Sequence, residues 1–284
     1  MDIVRPNKHT FSIVSEFLKP YESKCVLLSS YVRRQSEKIY VIVDGCYIGS
    51  VDDILGVLYI DSTLFHCIPD TLALDSVSML KFFMRLTENG GKKIKCISGE
   101  AVGTDYFLNL MKVKEKNAYQ VNNYRLMTSS GFGGFRPEAL CDGDELIRCT
   151  ENEIEELFAL QQKYLKEEVA PKGKVISRLE VSMSLRQILK NQLCLAIFSD
   201  GEAVAKANTN AIGINWIQIG GVYTHPLFRR NGYAVHLIYS ICRRAFRVNR
   251  NVALFVKEKN EPAIQLYKKL GFQAHDLYKI AYFN

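Results

Sequence analysis

Residues 220–234 carry the strongest chemical signal in this chain. They read Gly-Gly-Val-Tyr-Thr-His-Pro-Leu-Phe-Arg-Arg-Asn-Gly-Tyr-Ala. An apolar, strand-like run stops at Pro226, a basic turn follows, and a helical segment opens behind it. Bare backbone N–H groups at a helix N-terminus make a cradle for phosphate oxygens. Gly232 allows close approach because it has no Cβ. Arg229 and Arg230 add charge that can reach a phosphate. The expected pyrophosphate donors are the N–H groups of Arg230, Asn231, Gly232, Tyr233, Ala234 and Val235, helped by the helix dipole. The chemistry this predicts is the binding of a phosphorylated cofactor.

The elements that must position this turn come from periodicity and capping. Thr150-Glu151-Asn152-Glu153 is a capping box, and Ile154, Leu157, Phe158 and Leu165 follow at helical spacing, which predicts a helix over 151–166. Pro171 and Gly173 break it. A second helix is expected over 180–190. Strands are expected over 193–199, 202–208 and 216–223, the first two joined at Asp200-Gly201, a hairpin signal. A helix over 234–247, a strand over 252–256, and a helix over 261–270 closed by Gly271 complete the half. A last strand pair is expected from Phe272 to about Tyr282.

The first half repeats this order more weakly. Helices are expected over 11–21, 26–34, 76–88 and 106–114, and strands over 38–44, 54–60, 63–67, 94–97 and 124–129. The glycine-rich stretch from Ser129 to Phe135 has no helix directly after it, so it reads as a linker rather than a nucleotide loop. The acidic run Asp142 to Glu145 reads as solvated. The organisation expected is a domain over 1–135, a linker over 136–146 and a domain over 147–284.

The chain has 284 residues, 48% of them hydrophobic, enough for a substantial core, with a formal net charge of +7. The basic balance fits a polyanionic cofactor. Nucleic acid is disfavoured, because the basic patch at Arg243, Arg244, Arg247 and Arg250 lacks interleaved aromatics. No C-x-x-C pair occurs among the eight cysteines, so no metal site is expected. No apolar run approaches the roughly 20 residues that cross a bilayer, and no signal peptide opens the chain. A cytoplasmic setting without a membrane partner is expected.

Three pieces together resemble the GNAT superfamily of acyl-CoA-dependent N-acyltransferases. Residues 229–234 fit its Q/R-x-x-G-x-G/A signature. The preceding strand, Ile219 to Thr224, ends at His225-Pro226. Residues 260–272, Asn-Glu-Pro-Ala-Ile-Gln-Leu-Tyr-Lys-Lys-Leu-Gly-Phe, look like its N-x-x-A-x-x-x-Y-x-x-x-G-F ending. The resemblance covers residues 147–284 and implies an α/β fold, an α+β mixed sheet. With the repeated element order it implies two GNAT-like domains, each a central mixed β-sheet flanked by helices. The N-terminal one is degenerate, since Asp70 to Asp75 stands where the glycine turn should be.

The same resemblance implies acetyl-CoA as co-substrate and a small-molecule or peptide amine as acceptor. Val222, Tyr223 and Thr224 would line the pantetheine arm, with Val222 and Thr224 supplying backbone groups and an N–H near Val222 polarising the thioester carbonyl. Tyr267 matches the residue that protonates the departing thiolate, and a tyrosine is protonated at neutral pH. Asn260 matches a cofactor-contacting asparagine and equally reads as a helix N-cap. Candidates for the general base are Glu168, beside Glu167, and His225. Two alternatives remain open: a non-catalytic CoA-binding or regulatory module, and an aminoacyl-tRNA-dependent transferase on paired GNAT-like domains.

Overall fold

A computed structural model describes residues 1–88, 93–113, 117–171 and 173–284. Along the first half run β1 (Asp2–Val4), α1 (Phe11–Leu18), α2 (Val26–Arg33), β2 (Ile39–Val43), β3 (Ile54–Ile60), β4 (Thr63–Cys67), α3 (Ser76–Glu88), β5 (Cys96–Glu100), α4 (Ala101–Lys112) and β6 (Gln120–Ser129). The second half follows with β7 (Asp144–Cys149), α5 (Ile154–Tyr164), α6 (Arg178–Asn191), β8 (Cys194–Ser199), β9 (Glu202–Ile212), β10 (Trp216–Thr224), α7 (Tyr233–Arg247), β11 (Asn251–Lys257), α8 (Glu261–Lys269) and β12 (Gln273–Tyr282).

The described strands form one sheet in the order β1-β2-β3-β4-β5-β12-β6-β11-β10-β9-β8-β7. Both halves use one pattern. β1 to β4 pair antiparallel, β4 and β5 parallel, and β12 closes that half antiparallel to β5. β7 to β10 pair antiparallel, β10 and β11 parallel, and β6 closes that half antiparallel to β11. The final strands are therefore exchanged. β6 follows the first half in sequence but completes the second half's sheet, while β12 completes the first. β6 and β12 also pair with each other and make the sheet continuous.

Local chemistry accounts for the elements. Asp200 and Gly201 both take positive φ, 48° and 83°, as the two-residue hairpin between β8 and β9 requires. Thr150 and Glu153 form the expected capping box. A second one, Ser177 with Glu180, starts α6 two residues earlier than expected. The backbone N–H of Ser177 and the neighbouring Lys174 hold the Glu180 carboxyl down to about 2. The helix expected over 106–114 begins earlier, at Ala101, where Glu100 caps it. Its expected end at Lys114 lies outside the described residues.

Two expectations are corrected. The acidic stretch is not simply a solvated linker: β7 begins at Asp144 and pairs with β8 from Asp144↔Ser199 to Cys149↔Cys194. The C-terminal strand pair is one long strand, β12, with a register irregularity between Ala274 and Leu277 that does not turn the chain.

In the second half, Leu195 and Ile197 of β8 face α7, whereas Cys194, Ala196 and Phe198 face α5 and α6. The strand alternation thus gives this half two cores, one on each face. The halves are also joined through α2, whose Val26 packs with Leu126, Ala211 and Ala253. Just before α2, fully buried Glu22 accepts hydrogen bonds from Ile214 N–H, from Asn215 N–H at 3.0 Å and from the Ser29 hydroxyl at 2.8 Å. A first-half carboxyl therefore holds the β9–β10 turn. No described helix is long and apolar enough to cross a membrane.

Candidate active site

The site begins where β10 leaves β11. Their ladder runs only from Trp216↔Asn251 to Ile219↔Leu254. Beyond it β10 stays with β9, as in Tyr223↔Lys206 and Thr224↔Ala205, while Phe255, Val256 and Lys257 pair with β6. A notch therefore opens at Gly220. A bulge lies between Gly220 and Tyr223, and Gly221 adopts φ +60° within it. A side chain there would run into the Asn208 amide, so glycine is required twice over. His225 N–H donates to Val204 O at 2.9 Å. Backbone groups alternate along a strand, so those of Val222 and Thr224 face the notch.

At the far end of β10, His225 and a short turn over Pro226–Phe228 lead to the basic residues. Arg229 folds back: its Nε donates to Thr224 O at 3.2 Å and its guanidinium reaches Glu167 at 3.4 Å. Arg230 takes φ +72° and Gly232 φ +77°. Gly232 is the N-cap of α7 and has no side chain to offer, so the first N–H groups of α7, from Tyr233, Ala234 and Val235, have no intrahelical acceptor. Asn231 and Gly232 are exposed. The Tyr233 side chain is buried, and burial together with Asp144 raises its pKa, so any contact it makes with an anion is through its backbone.

The floor of the notch comes from α8 and the end of α5. Asn260 is an N-cap, accepting from Ala263 N–H at 3.3 Å. Tyr267, seven residues on, is buried, and burial pushes its phenol well above its ordinary value, with Tyr164 and Glu168 adding to the effect. After Tyr164 the helix widens into a π turn over Leu165–Val169, closed by Ala170 N–H to Leu165 O at 2.7 Å. Such turns re-aim side chains. This one sends Glu167 to the Tyr223 hydroxyl at 2.8 Å and Glu168 to Lys257 at 2.9 Å. Lys257 also bonds Glu167 O at 3.1 Å. The turn therefore spans the notch from β10 to β11.

Glu168 lies near enough to Tyr267 to add to the rise of its pKa, and its carboxylate is paired with Lys257. His225 is placed otherwise: its Nε2 meets Lys163 Nζ at 2.6 Å and its Nδ1 accepts from Leu227 N–H at 3.4 Å. Sequence reasoning missed Tyr164, Lys206 and Asn208. Lys206 is fully buried beneath the bulge, and burial lowers its pKa to about 8. The available signal was a lysine inside the small apolar run Ala203 to Ala207, at a register that points inward.

The first half shows what the same frame looks like without a cradle. Asp75 stands before α3, and its carboxylate accepts from Val77 N–H, Ser78 N–H and the Ser78 hydroxyl. The helix donors that α7 leaves bare are thus already used. Where β4 and β5 part, the His66 ring fills the space over Gly99 and Gly103 and bonds Thr104 Oγ1 at 2.9 Å.

Residues 154–272 match the Acetyltransferase (GNAT) family. This part of the chain is a GNAT domain. Solved structures extend the likeness of fold to the whole chain. A Drosophila protein is 12% identical with a TM-score of 0.71, covering 99% of this chain and 98% of its own. A tandem GNAT protein from the clavulanic acid biosynthesis pathway is 10% identical with a TM-score of 0.60, covering 99% and 97%. A GCN5-related N-acetyltransferase from Sphaerobacter thermophilus is 12% identical with a TM-score of 0.59, covering 98% and 94%. At such identities the likeness concerns fold alone: a mixed sheet flanked by helices, in a tandem GNAT arrangement. The GNAT family supports an acyl-CoA-dependent acyltransferase in general terms.

Proposed function

We propose that the chain is an N-acetyltransferase that moves the acetyl group of acetyl-CoA to a primary amine of a small molecule or peptide, by direct attack in a ternary complex. The observation that carries this is the pairing of an open notch beside β10 with unused N–H donors at the start of α7. Together they fit an extended pantetheine arm and a pyrophosphate. Val222 and Thr224 would pair with the arm, Tyr223 would line it, and the N–H groups of residues 230–235 with Arg229 and Arg230 would hold the phosphates. Val222 N–H would donate to the thioester carbonyl oxygen as the amine nitrogen attacks its carbon. The C–S bond then breaks, and Tyr267, kept neutral by burial, gives its proton to the leaving sulfur.

The amine must lose a proton, and Glu168 is taken as the candidate for accepting it because it lies close enough to Tyr267 to raise that phenol's pKa; both candidates are already paired, Glu168 with Lys257 and His225 with Lys163. Catalysis is placed in residues 147–284, with residues 1–135 walling the acceptor side and 136–146 linking the two. Because β6 belongs to the second half's sheet, only the full chain should be active. A cytoplasmic setting suits a reaction that draws on acyl-CoA. The test is a screen of amines with acetyl-CoA, read by release of free thiol. Thiol release that depends on one class of amine supports the proposal. Binding without release for any amine favours a non-catalytic CoA-binding module, and salt-dependent RNA affinity instead would favour the tRNA-linked alternative.

A further inference from the structure

Lys206 has no role in the chemistry above, yet its position is costly. It is fully buried in β9, and a buried ammonium gives up hydration that other contacts must replace. Its Nζ donates to Gly221 O at 3.1 Å and to Asn208 Oδ1 at 3.3 Å, and lies 5.0 Å from the centre of the Tyr164 ring. Burial lowers its pKa to about 8, partly opposed by the Cys194 and Cys149 thiols, so it is mostly cationic at neutral pH.

What Nζ holds is the carbonyl of the bulge residue. In a trans peptide the C=O and the next N–H point to opposite sides. With Gly221 C=O fixed on Lys206 Nζ, Val222 N–H must point away from that ammonium. The strand adds a second constraint: His225 N–H goes to Val204 O, so alternation turns Val222 N–H away from β9. The Tyr164 ring packs on the same ammonium, 5.0 Å from Nζ. The Asn208 amide fills the space beside the Gly221 Cα. A cation on the carbonyl also draws electron density from the peptide and makes the attached N–H a stronger donor.

We propose that Lys206 is a positioning residue that clamps the Gly221 carbonyl, so that Val222 N–H is fixed, aimed into the notch and polarised as the donor to an acyl carbonyl oxygen. This rests on the acyl-CoA reading above. Lys206 touches neither substrate nor leaving group; it acts through one peptide plane.

The test needs no acceptor. Acetyl-CoA labelled with carbon-13 at its carbonyl is bound to the full chain, and the carbonyl stretch is read by isotope-edited infrared spectroscopy. In the wild type the stretch should move to lower frequency than in free acetyl-CoA. In Lys206→Met, an uncharged side chain of similar length, acetyl-CoA should still bind but the stretch should return towards the free value. Once an amine is in hand, kcat should fall about tenfold or more with little change in KM for acetyl-CoA. Lys206→Gln, which keeps an N–H donor, should recover part of the shift.

An unchanged shift in Lys206→Met overturns the role of Lys206 and leaves the acyl-CoA reading standing. A wild type that does not bind acetyl-CoA removes both. Should the variants not fold, the wild type decides alone: its Val222 amide proton must move downfield in an NMR spectrum when acetyl-CoA is added, and a stationary resonance refutes the proposal.

Discussion

Replacing Glu22 by alanine should destabilise the whole chain, although Glu22 lies in the first half and the partners it releases lie mostly in the second. The side chain is fully buried and accepts from Ile214 N–H, Asn215 N–H and the Ser29 hydroxyl. A buried donor that loses its partner costs about 1–3 kcal/mol. Asn215 is exposed and water can replace its bond, and the Ser29 hydroxyl can rotate, so the main cost falls on Ile214 N–H and the emptied space. The sum is about 3 kcal/mol, close to the range for breaking a buried polar pair. At about 2–4 °C per kcal/mol for a large domain, the melting temperature should drop by about 6–12 °C. Glu22→Gln keeps one acceptor oxygen and should lose about half as much. The assay is thermal unfolding followed by circular dichroism on all three proteins. An alanine variant within about 2 °C of the wild type would refute the view that this carboxyl ties the β9–β10 turn to the first half.

Tyr267→Phe keeps the ring in its packing place and removes the proton donor. Turnover on an accepted amine should fall about a hundredfold or more, with acetyl-CoA affinity retained in a binding titration; an unchanged kcat would take the acid role from Tyr267. Burial lowers the His66 pKa to about 3 from 6.5. Between those values the unfolded chain binds a proton that the folded one does not, so the stability due to this group is full above pH 6.5 and lost as pH falls towards 3. The slope from this one group is about 1.4 kcal/mol per pH unit, and urea unfolding of His66→Leu should show a curve flatter than the wild type by that amount. Gly221→Ala places a side chain at φ +60° against the Asn208 amide, so its turnover should fall even where its melting temperature shows that it folds.

What the sequence disclosed was local. Asp200-Gly201 marks a hairpin because few residue pairs tolerate two positive φ values in succession. Thr150 with Glu153 marks a helix start, and Gly232 marks the turn into α7, where it takes φ +77° as the N-cap. What it hid depends on distant partners. β6 and β12 read as ordinary final strands of their own halves, and only the assembled sheet reveals their exchange. β7 was concealed by Asp142, Gly143 and Asp144, a turn-like opening to a strand whose apolar side comes later. Lys206 and Glu22 are polar residues in short segments, where charge normally marks the solvated face; their burial is set by groups on other elements. The second capping box at Ser177 was legible, and it corrects the start of α6.

The central claim is that the start of α7 and the notch beside β10 bind acyl-CoA. Calorimetric titration of the full chain with acetyl-CoA, wild type against Gly232→Glu, tests it most directly. The space around Gly232 is open, so a glutamate there meets no atom, although φ +77° strains its backbone, and its charge faces the donors meant for phosphate. Saturable one-site binding by the wild type, lost in a variant that still melts cooperatively, is the result predicted here. No binding of acetyl-CoA or longer acyl-CoAs by the wild type, or equal binding by the variant, would contradict it.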